Sequence, residues 1–291
     1  MEASNRALIM FVIKSGIVRL GSEHNEKAAS QYDATYANFQ TSLYEEIRRE
    51  AFGEDIGQNS WLTADEHDKF LGWLGLAAGK SLLDVACGTG GPALRTASLT
   101  GCAVTGVDVH EQAISTARSL ASERGLENRA DFRTVHADKE LPFPDAQFDA
   151  IVCIDAINHL PERAQILGDW TRLLKPGARL LFTDPIVVTG PLTQEEIAIR
   201  SSSGFYLFVP LGYDEQLIAD SGLRLVTSED RSRNVAEIAE RRKNARASRC
   251  SDLRRIEGDE VYENQQKFLS VAALLARDAR LSRFVYLAEK A

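Results

Sequence analysis

Between Ser81 and Pro185, short apolar runs alternate with stretches in which apolar residues recur every three or four positions. A short apolar run bounded by turn residues reads as a buried strand, and a three-to-four spacing reads as a helix with one buried face. The pattern predicts strands over 81–86, 103–109, 130–136, 148–154 and 179–185, separated by helices over 92–100, 111–124 and 161–174. Lys175-Pro176-Gly177 is the turn that ends the last of these helices. Further on, the spacing predicts helices over 193–203 and 213–221, a strand over 223–228, charged helices over 234–253 and 260–277, and a terminal strand over 283–288. This alternation builds βαβ units. The expected fold is a doubly wound, mostly parallel seven-stranded α/β sheet.

Before Ser81 the pattern changes. Tyr32, Tyr36, Phe39, Leu43 and Ile47, then Trp61, Phe70, Leu71 and Leu74, fall at mixed helical spacings around a loop over 52–60. The chain therefore divides into a peripheral segment 1–30, a helical cap or lid 31–78, and an α/β domain 79–291. That domain carries an insertion at about 186–212 and a helical segment at about 234–277. The apolar run 7–13 is short of the ~20 residues that a membrane-spanning helix needs, and no small-residue cleavage site follows it.

Length and composition fit one α/β domain with added helices: 291 residues, of which 44% are hydrophobic and 26% charged. A net charge of −8 opposes general attraction to nucleic acid or to an anionic membrane. Cys87, Cys102, Cys153 and Cys250 form no CxxC pair, as expected of reduced thiols in cytoplasm. The sequence carries no signal for or against a homodimer built through the N-terminal or late helices. No metal-ligand spacing stands out.

The chemistry concentrates at Asp84-Val85-Ala86-Cys87-Gly88-Thr89-Gly90-Gly91, which ends a predicted strand and opens a helix with Pro92 in its first turn. Gly88 and Gly90 permit positive φ and close approach of a ligand to the backbone, and the helix start offers free N–H groups. Asp108, at the end of the next strand, is placed to accept from ribose hydroxyls. Gly88, Gly90 and Ala93 also satisfy the GxGxxA dinucleotide pattern, so an NAD(P)-dependent oxidoreductase shares the loop. Asp84 and Asp138 distinguish the two. A carboxylate at each of three successive strand ends suits a ligand with a cationic amino acid at one end and an adenosine at the other, and would repel a pyrophosphate.

The segments LLDVACGTGG (82–91), VTGVDVHEQAISTAR (104–118), ADKELPFPDAQFDAIVCIDAINHLPER (137–163) and LLKPGARLLFTDP (173–185) cover about one quarter of the chain. In order and spacing they resemble the class I S-adenosylmethionine-dependent methyltransferases, in particular the small-molecule group with ubiquinone/menaquinone-type, sarcosine-type and sugar O-methyltransferase members. The resemblance implies that Asp84, Gly88 and Gly90 hold the methionine end and Asp108 the ribose. It puts Val109 against the adenine, Ala137 and Asp138 at its ring edge, and Ile154 and Asp155 beside the methionine side of the cleft. Asn158, His159 and Asp184 stand where some O-methylating relatives carry a His-His pair and an Asp that activate the hydroxyl; here Asn158 replaces the first His.

These residues imply that His159, oriented by Asp184, acts as general base or positions the acceptor. Phe205, Tyr206, Phe208, Val209, Pro210 and Tyr213 follow the fifth strand, where the family inserts its substrate-binding segment. With Asn158, Tyr36 and Trp61 they are the expected acceptor contacts. The activity expected is methyl transfer from S-adenosylmethionine to a small metabolite, at O, N or C. The alternatives are the oxidoreductase and a non-catalytic S-adenosylmethionine-binding module.

Overall fold

The computed structural model describes residues 36, 38–202 and 205–291. Tyr32 and the peripheral segment 1–30, including its apolar run, lie outside the described residues.

The sheet orders its strands β3-β2-β1-β4-β5-β8-β7, with β1 Ser81–Val85, β2 Ala103–Asp108, β3 Ala130–Thr134, β4 Phe148–Cys153, β5 Leu174–Val188, β7 Leu223–Asp230 and β8 Leu281–Lys290. A two-residue strand, β6 (Val209–Pro210), adds to β5 off this path, making eight. β1 to β5 pair parallel, whereas β8 runs antiparallel between β5 and β7. The chain reverses between β4 and β2 at β1, and ligands bind outside strand carboxyl ends at such a switch point.

Alternation along each strand feeds two cores. Leu82, Val104, Phe132 and Val152 face the helices α2 (Ala64–Leu74), α3 (Gly91–Thr100) and α4 (Glu111–Glu123). Leu83, Val107, Ile151 and Phe182 face α5 (Arg163–Leu173) and, through Ile218, α7 (Tyr213–Asp220). Helices on both faces explain why these strands read as apolar runs with no polar face.

Three boundaries differ from the sequence expectation. Lys175-Pro176-Gly177 does not close a helix before the strand but lies within β5, where the ladder to β4 shifts register between Phe148 and Ala150 and Gly177 takes φ +73°. The helix expected over 193–203 is α6, Gln194–Arg200, started by a capping box between Thr193 and Glu196. The charged stretch 234–253 is two helices, α8 (Ser232–Ala247) and α9 (Cys250–Glu257). At the break, Ser248 Oγ and Arg249 Nη1 both donate to the carbonyl of Ala245, taking over an acceptor that the turn leaves open.

The N-terminal helix α1 (Ser42–Phe52) is packed against late helices. Ala51, Phe52 and Trp61 share a cluster with Val235 and Ile238 of α8 and Leu269 and Ala272 of α10 (Asp259–Arg277), and Tyr44 and Ile47 meet Leu253 and Tyr262. Residues within 44–61 and 235–276, separate in sequence, thus share a core. Among the described residues no helix is long and apolar enough to cross a membrane.

Candidate functional site

At the carboxyl end of β1 the backbone turns through Ala86 (φ +59°), Gly88 (φ +55°) and Gly90 (φ +75°) into α3. Gly90 and Gly91 are required by space. A Cβ on Gly90 would lie 2.8 Å from the ring of Phe132, and one on Gly91 would lie 2.3 Å from the carbonyl oxygen of Ile56. The loop is therefore wedged between β3 on one side and residues 56–57 on the other.

Two buried carboxylates flank it. Asp108 Oδ2 accepts from the Gly88 amide and Oδ1 from the His110 amide, each at 2.9 Å, which fixes the loop to the end of β2. Asp84 is buried and has no protein partner on its carboxylate among the described residues. Burial, with the neighbouring Asp108, pushes the Asp84 carboxyl up to about 7. Burial likewise raises Asp108, against the opposing effect of its backbone donors. An unpartnered buried carboxylate beside a second acid is a site for a cation. The ammonium and sulfonium of S-adenosylmethionine fit it; a pyrophosphate does not.

The other expected cofactor residues follow the carboxyl ends of β2, β3 and β4. Val109 is 45% exposed just beyond β2, which leaves its apolar side chain open to a planar ring. Ala137 and Asp138 sit on the turn after β3; Ala137 packs on the core, and Asp138 is exposed beside His136. Ile154 is half-buried just past β4. Tyr36 lies over the loop: its hydroxyl would be 3.4 Å from a Cβ on Gly88, and its ring is 5.5 Å from that of His110.

Asp155 is placed differently from expectation. Its carboxylate is taken by the Trp61 amide (2.8 Å), the Thr183 hydroxyl (2.7 Å) and Arg283 Nε (2.6 Å), so in this structure it binds protein groups.

Beyond β4 a single 3₁₀ turn, Ile157–His159, presents His159. Its Nδ1 lies 2.8 Å from the carbonyl oxygen of Phe205, and its ring meets that of Tyr206 edge-on at 4.6 Å between centroids. Burial lowers the imidazole to about 4, in spite of the Phe205 carbonyl and the nearby Asp184, which favour the charged form. Asn158 is 0% exposed; its backbone carbonyl accepts from the Leu207 amide, and its side-chain amide has no hydrogen-bond partner among the described residues.

Asp184 does not orient His159 through a hydrogen bond. Its Oδ2 accepts from Arg163 Nη1 at 2.6 Å and its Oδ1 from the Ile186 amide at 3.0 Å. Arg163 Nη1 also reaches Asp214 at 2.8 Å, and Nη2 donates to the carbonyl of Leu207 at 3.1 Å. All three charged side chains have zero exposure. Desolvation raises Asp214 to about 7, with the neighbouring Asp184 adding to the rise. Asp184 thus holds the segment 205–208, and through its carbonyl His159, by way of Arg163.

That segment carries the aromatic group. Tyr206 and Phe208 pack beside Ile186 and Leu281, Phe205 is half-buried, and Tyr213 is half-buried at the first residue of α7, next to Asp214. On the cap side Trp61 stacks on Phe268 at 6.4 Å, and the buried Arg200 lies over the same Phe268 ring at 4.5 Å. Sequence reasoning passed over Arg163, Arg200, Arg283 and Glu66. A signal existed for Arg283, a lone cation inside the apolar run 281–288, since a charge in a buried strand must be paired.

Residues 83–182 match a family model described as a methyltransferase domain. The chain is 30% identical to the 27-O-demethylrifamycin SV methyltransferase of Amycolatopsis mediterranei (strain S699) over 199 residues, covering 64% of this chain and 73% of that protein. It is 39% identical to the methyltransferase GfsG of Streptomyces halstedii over 132 residues, which is 45% of this chain and 46% of that one. Among solved structures, the cyclopropane synthase MmaA2 of Mycobacterium tuberculosis superposes with a TM-score of 0.75 at 20% identity, over 89% of this chain and 98% of that chain. Together with the buried acids at the ends of β1 and β2, the family model and the 30% identical relative show that the chain belongs to the class I S-adenosylmethionine-dependent methyltransferases that act on small molecules.

Proposed function

We propose that the enzyme transfers a methyl group from S-adenosylmethionine to a hydroxyl oxygen of a largely apolar small molecule, with His159 as general base. The observation that carries this reading is the bond between His159 Nδ1 and the Phe205 carbonyl. A carbonyl only accepts, so Nδ1 carries the proton and Nε2 of the neutral ring is the basic nitrogen. Burial keeps that ring neutral at physiological pH. The 30% identical relative that methylates an oxygen of a rifamycin supports the same acceptor type.

In this reading Asp84 receives the ammonium of the methionine end, Gly88 and Gly90 let its backbone approach, and Asp108 meets the ribose. Val109 and Ala137 flank the adenine, with Asp138 at its amino group. Ile154 borders the methionine side, and Asp155 serves by holding the Trp61 loop. When bound, the cofactor supplies an electrophilic methyl, so the protein needs to align the oxygen, exclude water and take one proton. The cofactor would supply the methyl group to the acceptor oxygen and keep the C–S electron pair on its sulfur, while His159 Nε2 takes the proton of the acceptor hydroxyl. Tyr36 and Trp61 cover the cleft from the cap, and Phe205, Tyr206 and Phe208 supply the apolar wall for the acceptor. Asn158 supports that wall through its carbonyl, and Tyr213 borders it. Four unpaired cysteines agree with work in a reducing compartment such as cytoplasm.

The test is turnover against paired substrates of one skeleton that carry a free hydroxyl, an amine or an alkene. Release of S-adenosylhomocysteine with the hydroxyl compound, and loss of that release in His159→Ala with cofactor affinity intact, is the expected result. Turnover of the alkene alone would reject the base-assisted mechanism. Cofactor binding with no turnover of any class would favour a binding module.

A further inference from the structure

Arg283 lies in β8 with no exposed surface, and it is held by two acids from different parts of the chain. Its Nη1 donates to both carboxylate oxygens of Glu66 in α2, at 2.9 and 2.8 Å, while Nε donates to Asp155 Oδ1 at 2.6 Å. Asp155 is itself constrained. It has φ +53° without being glycine, its amide donates to Thr183 Oγ1 at 2.7 Å, and that hydroxyl donates back to Oδ1. Its remaining oxygen accepts from the Trp61 amide.

Trp61 ends a segment, residues 55–61, that is pinned at three points. Arg48 Nε binds both oxygens of Asp55 at 3.0 Å. Gly57 packs against Gly91, so closely that a Cβ on Gly57 would sit 3.1 Å from the Gly91 Cα. The Trp61 amide then closes on Asp155, just past the end of β4. The segment therefore runs as a strap from the glycine loop of β1 to the end of β4, the two sides of the cleft in which the cofactor lies. A buried guanidinium shared between Glu66, just after the strap, and Asp155, beneath its end, ties the helix that follows the strap to the floor of the site. Removing that cation would leave Glu66 with Arg231 at 3.7 Å as its remaining cation and Asp155 with only the neutral donors Trp61 and Thr183, both still buried.

We infer that Arg283 is a positioning residue for methyl transfer: by binding Glu66 and Asp155 together it keeps the 55–61 strap closed across the cofactor cleft and so limits cofactor release. The inference rests on the cofactor reading above for the identity of the ligand, and on geometry alone for the strap.

Two readouts test it, amide exchange of residues 55–62 in the cofactor-free chain and the dissociation rate of S-adenosylhomocysteine from the full-length protein. In Arg283→Met with unchanged circular dichroism, both amide exchange and dissociation should rise by about tenfold or more, with the KM for S-adenosylmethionine rising more than kcat falls. Arg283→Lys, which keeps the charge, should recover part of both effects. Wild-type exchange and wild-type dissociation in Arg283→Met would overturn the inference. If that variant does not fold, Glu66→Gln takes its place, because it weakens the strap side and leaves the Arg283–Asp155 bond; it should move both readouts in the same direction, and no change in either would overturn the inference equally. A wild-type protein that binds no S-adenosylhomocysteine would remove the cofactor reading, while the exchange measurement would still decide the strap.

Discussion

Nδ1 of His159 lies 2.8 Å from the carbonyl oxygen of Phe205, 46 positions later in the chain, and this contact fixes which nitrogen of the imidazole is basic. It also links the 205–208 segment to His159, since the residues around Phe205 are held by Arg163 and Asn158 through Leu207.

The first prediction concerns His159 as the proposed base. Because burial holds His159 at about 4, the ring stays neutral from pH 5 upward, and kcat/KM should show no limb near 6.5 that disappears in a His159 variant. His159→Ala should lower kcat/KM by about 10²–10³ while leaving S-adenosylhomocysteine affinity within about twofold. A loss of affinity equal to the loss of rate would show that His159 binds rather than reacts.

Asp84 gives an acid limb of its own. Its carboxyl must be ionised to receive an ammonium and is raised to about 7 without ligand, so cofactor affinity should weaken by up to about tenfold per pH unit below 7. Isothermal titration between pH 5.5 and 8 would read this, and Asp84→Asn should bind weakly at every pH with the dependence gone.

The same raised carboxyl opposes stability. The folded state holds a proton on Asp84 that the unfolded chain loses above about 4, so stability from this group falls as pH rises from about 4 to about 7 and stays low above that. Asp214, also raised to about 7, acts in the same direction. Thermal melts of the cofactor-free protein should therefore give Asp84→Asn a higher Tm than wild type at pH 8, by about 2–8 °C, with the difference shrinking toward pH 5.

The buried Arg163–Asp184–Asp214 group predicts an asymmetry. Asp184→Ala removes a carboxylate bound to both Arg163 and the Ile186 amide, and should cost about 3–5 kcal/mol in urea unfolding. Asp214→Asn resembles the protonated form that this residue already populates near neutral pH, and should cost less than about 1.5 kcal/mol. Equal costs would reject a protonated Asp214 near neutral pH.

Gly91→Ala tests the wedge under the strap. Its new methyl carbon would meet the Ile56 carbonyl at 2.3 Å, so residues 56–57 must move, at a cost of about 1–3 kcal/mol. Gly125, with nothing within 4 Å of an added Cβ but φ +63°, is the control for backbone strain alone. Only Gly91→Ala should also weaken cofactor binding.

The sequence by itself determined the doubly wound fold and the glycine loop with its flanking acids, because both depend on local signals. Apolar runs buried on two faces have to be parallel strands flanked by helices, and a glycine turn between strand and helix, with acids at successive strand ends, assembles within about 55 consecutive residues, Asp84 to Asp138. Element ends were less legible where tertiary context overrides the local pattern, as at Lys175-Pro176-Gly177, which the β4 ladder draws into β5. What only the tertiary structure decided is which charges meet. Asp155 and Asp184 sit where a cofactor ligand and a catalytic acid are expected, yet their carboxylates are taken by Arg283 and Arg163. Arg283 follows Asp155 by 128 positions and Glu66 by 217, and no spacing rule encodes a pairing over such distances. A buried carboxylate binds whichever cation the fold brings to it, and that is settled by the packing of β8 against β5 and of the cap against the sheet.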